Sequence, residues 1–263
     1  MDGSPGQGPV GRGGVLGAWL PDAVSPALFW GLSALSLIAS FITAGFGLGG
    51  GALLLAAMAS LVPPAALIPV HGVVQLGSNA GRAALFLRAV HWPAVPAFAA
   101  GSVMGAVPGG LIAVELPPAA VEIGVGGFVI WSVFATAPRW LTAWPALTGL
   151  VSSFLTMFFG ATGLFVAAYS RALGLARHAF VATHAALMTL QHALKVAVFG
   201  MLGFAYAEWA AVMAAMVVAG GIGTVLGKAM LDRTSDARFR LILDTLLVLI
   251  SLRLIWQGVR GLT

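Results

Sequence analysis

The sequence predicts an all-α integral membrane protein of about eight transmembrane segments, arranged as two internal repeats, with the first and fifth segments broken at glycines. Three observations carry the prediction. Of 263 residues 60% are apolar and 8% are charged, against roughly a quarter charged in a soluble domain, so there is too little charge to cover a globular surface. Apolar runs reach the length of about 20 residues that spans a bilayer. The chain also matches itself, without a gap, when slid by 113 positions.

Residues 1–26 are rich in Gly and Pro, carry only Asp2, Arg12 and Asp22 as charges, and lack a basic stretch followed by an apolar one. They read as a flexible tail, neither signal peptide nor helix. Cutting the remainder at charges and prolines gives segments 27–62, 64–87, 93–114 and 118–137, then 144–175, 178–201, 208–230 and 239–257. The first four form a repeat over 27–137 and the last four a repeat over 144–257, joined by a linker at 138–143 and followed by a tail at 258–263. The first segment has 36 residues, which as one helix would run to roughly 54 Å, so it must break. The fifth is similarly long. The breaks fall at Gly45-Phe46-Gly47-Leu48-Gly49-Gly50-Gly51 and at Gly160-Ala161-Thr162-Gly163, because glycine lowers helix preference by about 1 kcal/mol per residue. Irregular backbone at membrane depth survives only beside protein or a water-filled cavity, which points to a transport pathway.

The 113-residue shift places Phe41, Thr43, Phe46, Gly47 and Gly50 on Phe154, Thr156, Phe159, Gly160 and Gly163. It also places His71 on His184, Asn79 on His192, Arg82 on Lys195, Phe86 on Phe199 and Gly110 on Gly223. Repeats with interrupted segments at matching positions are the signature of secondary transporters, whose site lies near the midplane. The repeats run parallel or inverted according to whether each broken segment crosses once or doubles back, and sequence leaves both open. The cations around Arg171, Arg177 and Lys228 to Arg240 would share the cytoplasmic side if the last helices each cross once. In the first half the cations Arg82 and Arg88 follow the second segment, a swap that hints at inversion.

At 100° per residue His71, Gln75, Ser78 and Arg82 share one helix face, with Asn79 on its edge. In the second repeat His184, Gln191 and Lys195 form the same stripe, with His192 at the edge and Met188 in the place of Gln75. Each stripe offers neutral hydrogen-bond donors and one cation, without a carboxylate, and so favours an anion. The competing reading is that these residues glue helices, at about 0.6 kcal/mol per hydrogen bond, and that Arg82 and Lys195 snorkel to an interface. A helix restarting after Gly51 or Gly163 would add unpaired N–H groups and a positive dipole end, with Gly47, Gly49, Gly50, Gly160, Thr43, Thr156 and Thr162 close by. Close helix packing is the alternative use of those glycines. Glu122 and Asp244 stand near segment starts, where an acid is unremarkable. His91 and His178 sit at segment ends, which leaves His71 and His184 as candidate proton carriers.

Zero cysteines exclude disulfides, cysteine-held zinc and iron–sulfur clusters. The net charge of +5 is scattered, without the basic and aromatic patch that nucleic acid needs. No HExxH, no GxSxG and no intramembrane carboxylate pair is present, so no enzyme and no cofactor is expected. A cation transporter or channel is the first rival; it would use carboxylates or carbonyl oxygens freed at the glycine breaks. The partners implied are a small anionic substrate and the lipid bilayer. A coupling proton or sodium ion and a homo-oligomer are both compatible with the sequence.

The pattern resembles the TauE/SafE family of sulfite and organosulfonate exporters. The resemblance rests on the Gly47-Leu48-Gly49-Gly50-Gly51 break, the following Pro63-Pro64, the eight-segment length, and Gly160-Ala161-Thr162-Gly163 with Arg177-His178-Ala179-Phe180. It implies an exporter of small sulfur oxyanions or sulfonates in the cell inner membrane. Thr162 and Leu164 stand where the first repeat has Gly49 and Gly51, so the two breaks are expected to contribute unequally.

Overall fold

The computed structural model describes residues 17, 19–46, 49–136, 138, 142–160, 162–229 and 237–262, with backbone alone for 237–240. The expected tail over 1–16 and 18, Gly47 in the first break, residues 139–141 of the linker and Thr263 lie outside the described residues.

Ten α-helices account for the described chain: α1 (Pro26–Phe46), α2 (Gly50–Ala59), α3 (Pro64–Leu85), α4 (Val95–Ala113), α5 (Pro118–Phe134), α6 (Pro145–Phe159), α7 (Gly163–Ala172), α8 (Arg177–Met201), α9 (Ala210–Lys228) and α10 (Ala237–Arg260). Short 3-10 turns precede α4 and α9. No strand occurs among the described residues. Prolines open α3, α5 and α6 at the first helical position, where the missing N–H costs no hydrogen bond.

Both expected breaks are present. Helix α1 stops at Phe46 and α2 starts at Gly50; α6 stops at Phe159 and α7 starts at Gly163. Gly49 has φ +102° and Gly160 φ +70°, left-handed conformations that glycine adopts without the strain a side chain would bring. The chain then doubles back. Gly50 packs against the Ala39 carbonyl and the Thr43 hydroxyl, and Thr162 Oγ1 donates to the Ser152 carbonyl at 3.0 Å. Ala39 and Ser152 are themselves 113 positions apart, so the two halves turn back at matching depth.

Packing relates the halves by exchange. Helix α1 lies parallel to α9, with Gly223 on Leu37 and Gly227 on Phe41; α4 lies parallel to α6, with Gly101, Gly105 and Gly109 on Ala146, Leu150 and Phe154. Each half therefore lends its first helix to the other half's fourth. The third helices of the two halves run antiparallel, since Phe86 at the end of α3 meets His178 at the start of α8, 5.6 Å between ring centres. So do the last, with Gly126 beside Ile255 and Gly258 beside Ala119 and Ile123. Equivalent helices of opposite direction mean that the repeat is inverted, about a two-fold axis across the helices.

One expected pairing shifts. Gly105 and Gly109 do in α4 what Gly223 and Gly227 do in α9, a spacing of 118 rather than 113, so Gly223 pairs with Gly105 and the equivalence of Gly110 with Gly223 does not hold. The extra residues lie in the helices: α8 runs to Met201, beyond the equivalent of Leu85, and Gly223 stands deeper in α9 than Gly105 does in α4.

The polar helices are central. The stretches Pro26–Phe46, Trp92–Ala113, Tyr206–Lys228 and Leu241–Arg260 are long and apolar enough to cross a bilayer. Helices α3 and α8, 22 and 25 residues long, are too polar on average to meet the same measure, and the reason is visible in their packing. They cross one another, α9 and α4 cover them, and His71, Gln75, Asn79 and Arg82 of α3 with His184, Gln191, His192 and Lys195 of α8 are buried. Trp30, Met104, Leu111, Val218, Ile222 and Leu249 face outward instead, as a lipid-facing rim requires.

The close seams are a stability device. A Cβ at Gly105 would strike the Leu150 carbonyl, whereas one at Gly127 would meet nothing within 4 Å. Gly105→Val should therefore cost about 1–3 kcal/mol of overpacking and lower the melting temperature in detergent, while Gly127→Val leaves it within error. Equal melting of both variants would refute the seam.

Candidate functional site

Helix α3 brings its stripe to the bundle centre because it starts at Pro64 and stays regular through Pro69. His71, Gln75, Asn79 and Arg82 all line one cavity of about 740 Å³. Within the stripe the bonds run as a ladder: Asn79 Nδ2 donates to the Gln75 carbonyl at 2.7 Å, and Arg82 Nη2 donates to Asn79 Oδ1 at 2.7 Å. Arg82 is 2% exposed. Its Nε has no hydrogen-bond partner, and no carboxylate pairs with it among the described residues.

From the second half His184 and His192 reach the same cavity, as do Met188, Gly160 and Gly163. The rings of His71 and His192 are 6.1 Å apart across the α3–α8 crossing. Each half's leading histidine holds the start of its own re-entrant helix: His71 Nε2 donates to the Gly51 carbonyl at 3.1 Å and His184 Nε2 to the Gly163 carbonyl at 3.4 Å. The Nδ1 atoms of His71 and His192 are buried without partners.

The two breaks present the same asymmetry. Their carbonyls are taken by side chains, whereas the starts of α2 and α7 carry no side-chain cap, and Gly49, Gly51, Ala52, Gly163 and Leu164 line the cavity. Thr43 lines it too. A helix start turned toward a cavity attracts negative charge through its free N–H groups and dipole.

Several sequence candidates lie behind the wall. Lys195 is fully buried, does not line the cavity, and donates from Nζ to the Gly160 carbonyl at 3.2 Å. Gln191 donates from Nε2 to the Ser152 carbonyl at 3.1 Å and to Thr162 Oγ1 at 2.7 Å. Thr156 Oγ1 donates to the Gly160 carbonyl at 3.2 Å. Ser78 pairs with Ser40 at 3.0 Å, and Gly50 is spent on the α1–α2 contact. These residues shape the site without facing its space.

Two cavity residues escape the stripe argument. Arg171, at the end of α7, and Asp244, on α10, both line the cavity, and each is engaged in an interaction of its own. Asp244 stands seven positions into α10, which begins at Ala237, so it lies inside the helix rather than at its start. An acid within a spanning helix is the signal that could have found it. Among the described residues no cluster of His, Cys, Asp and Glu could hold a metal ion.

Inverted repeats whose re-entrant helices meet at a central polar cavity define a class, the membrane transporters with discontinuous helices. The family model for the sulfite exporter TauE/SafE matches residues 32–254, and the chain belongs to that family, as a multi-pass membrane protein. No curated protein and no solved structure matches it.

Gln191 and Gln75 offer a contrast that separates bracing from binding. Gln191→Leu removes the two buried hydrogen bonds that Gln191 Nε2 donates, to the Ser152 carbonyl and the Thr162 hydroxyl, which should cost about 1–3 kcal/mol and appear as a lower melting temperature. Gln75→Leu, on the cavity wall, should change melting less and substrate affinity more. The reverse order would place the site elsewhere.

Proposed function

We propose that the chain is a secondary transporter that exports a small anion, such as sulfite or an organosulfonate, across the inner membrane. Arg82 carries this reading: a buried guanidinium on a cavity wall, with an unpartnered Nε and no carboxylate paired with it among the described residues, is costly to hold in a membrane unless an anion compensates it. The uncapped starts of α2 and α7 add partial positive charge on the same walls, and Arg can hold an oxyanion with two N–H groups in a fork.

The distribution of charge supports this direction. The cavity opens at the end of the bundle where α3 and α7 finish and α8 and α10 begin, the end that carries Arg88, Arg171, Arg177 and Lys228. Glu115 and Glu208 stand at the other end. By the positive-inside rule the cavity faces the cytoplasm, where an exporter collects its cargo. A proton or sodium ion is the proposed coupling ion, with His71, His184, His192 and Asp244 among the titratable groups lining the cavity. The rival of cation transport has Asp244 in its favour, against Arg82 and Arg171 on the same walls.

Protein in liposomes should move sulfite or an organosulfonate, and metal uptake without anion flux would reverse the reading. Arg82→Gln should bind sulfite roughly ten to a hundredfold more weakly, the equivalent of a charged hydrogen bond worth about 1.5–3 kcal/mol. Lys195→Gln should weaken binding less, since Lys195 faces Gly160 rather than the cavity. Parental affinity in folded Arg82→Gln would remove the stripe from the site.

A further inference from the structure

A second cavity, of about 400 Å³, lies at the far end of the bundle between the starts of α3 and α5 and the ends of α4, α6 and α8. Only a thin apolar partition divides it from the first. Gly160 lines the first cavity, Ile68 and Met157 line the second, and Leu55 and Ile68 press on Gly160: a Cβ there would lie 2.8 Å from Leu55 Cδ1 and 3.1 Å from Ile68 Cδ1. Leu55 and Met157 are 0% and 1% exposed. Behind this partition Lys195 and Thr156 both hold the Gly160 carbonyl.

The inverted repeat supplies the comparison. At the positions equivalent by the 113-residue shift, Leu55, Ile68 and Met157 correspond to Ala168, Val181 and Ala44. Large side chains close the far end, smaller ones stand at the near end, and Ala168 is itself on the open cavity wall. Arg82 and Lys195 are equivalent in the same sense: the first lines the open cavity, while the second is folded against the break of its own half. An inverted pair reaches its opposite-facing state when the halves exchange conformations.

We propose that the second cavity is the outer half of the translocation path, that Leu55, Ile68 and Met157 form the gate into it, and that Lys195, released from Gly160, replaces Arg82 as the cation facing the anion once that gate opens. The proposal rests on the transport reading above and adds to it a route and a second cation. Release of Lys195 frees the Gly160 carbonyl and lets α6 and α7 part from Leu55 and Ile68. The anion is then passed from a guanidinium to an ammonium, which holds it as a point charge.

The chain has no cysteine, so single-cysteine variants can be labelled without background. Ala168→Cys and Ile68→Cys, in sealed vesicles of known orientation, are exposed to a charged, membrane-impermeant maleimide from each side. Without substrate, Ala168→Cys should react from the Arg88 and Arg177 side and Ile68→Cys from neither. Methanesulfonate, an organosulfonate that unlike sulfite does not add to maleimide, should speed labelling of Ile68→Cys from the opposite side about tenfold, in proportion to the open population. Met157→Ala, added to Ile68→Cys, should raise its labelling with no anion present. Lys195→Met should abolish the sulfonate-driven gain and Lys195→Arg restore part of it, with unstimulated Ala168→Cys labelling as the folding control. Ile68→Cys that stays unreactive in the Met157→Ala background overturns the gate whatever the cargo. Reaction with a lipid-soluble maleimide alone overturns it too, making the second cavity a lipid pocket. If Met157→Ala opens the path but the sulfonate does nothing, the gate stands and the choice of anion falls.

Discussion

Two helices that end inside a bilayer leave backbone groups that lipid cannot satisfy, at several kcal/mol for each one stranded. The rest of this molecule is arranged around that cost. His71 and His184 take the carbonyls of Gly51 and Gly163, Lys195 and Thr156 take that of Gly160, and Gln191 with Thr162 takes that of Ser152 opposite the second break. The accounting is lopsided. Donor side chains go to carbonyls, while the starts of α2 and α7 have no side-chain cap. A site built this way has the carbonyl at the end of α6 neutralised by Lys195 and Thr156 and the positive ends of α2 and α7 turned to the cavity.

Exchange of helices between the halves sets what can move. Residues in α1 touch α9, and residues in α4 touch α6, through glycines set directly on carbonyls. Parting the halves as rigid bodies would have to open both seams at once, where packed surfaces resist continuous deformation. Freedom lies instead in the short α2 and α7, ten residues each, held at their starts by a few side-chain bonds. Those bonds come from the polar stripes of α3 and α8, so the residues that recognise charge also govern the backbone that frames it.

Much of this was legible in the sequence, for physical reasons that also explain the rest. The breaks showed because glycine runs inside an overlong apolar segment have few other uses, and the α3 stripe showed because helical periodicity fixes which side chains share a face. Periodicity does not say what that face meets. Arg82 and Lys195 occupy equivalent positions, yet one lines the cavity and the other braces Gly160. Asp244 and Arg171 were passed over because each was read against a segment end, and their approach to the cavity depends on the tertiary arrangement of α10 and α7. The inversion needed helix directions, which only contacts such as Phe86 with His178 supply. The displacement of Gly223 onto Gly105 came from extra residues in α8 and α9 that an ungapped comparison cannot register.

Departures from perfect repetition have an energetic meaning. Were the halves identical, an inverted pair would face either side of the membrane with equal free energy. Here the second half has Met188 for Gln75, Lys195 for Arg82, Thr162 for Gly49 and Leu164 for Gly51, and the first has Leu55 where the second has Ala168. Burying Leu55, Ile68 and Met157 in the far partition, against Ala168, Val181 and Ala44 in the near one, removes several more methylene groups from water at about 0.8 kcal/mol each. The difference weights the state that closes the far end and leaves the cavity open beside Arg88 and Arg177. A ligand can offset that weight only through contacts it makes better in the other state, so an anion that gains more from Lys195 than from Arg82, by enough to match the weight, would carry the protein across, and one that gains only as much or less would leave the cavity open beside Arg88 and Arg177.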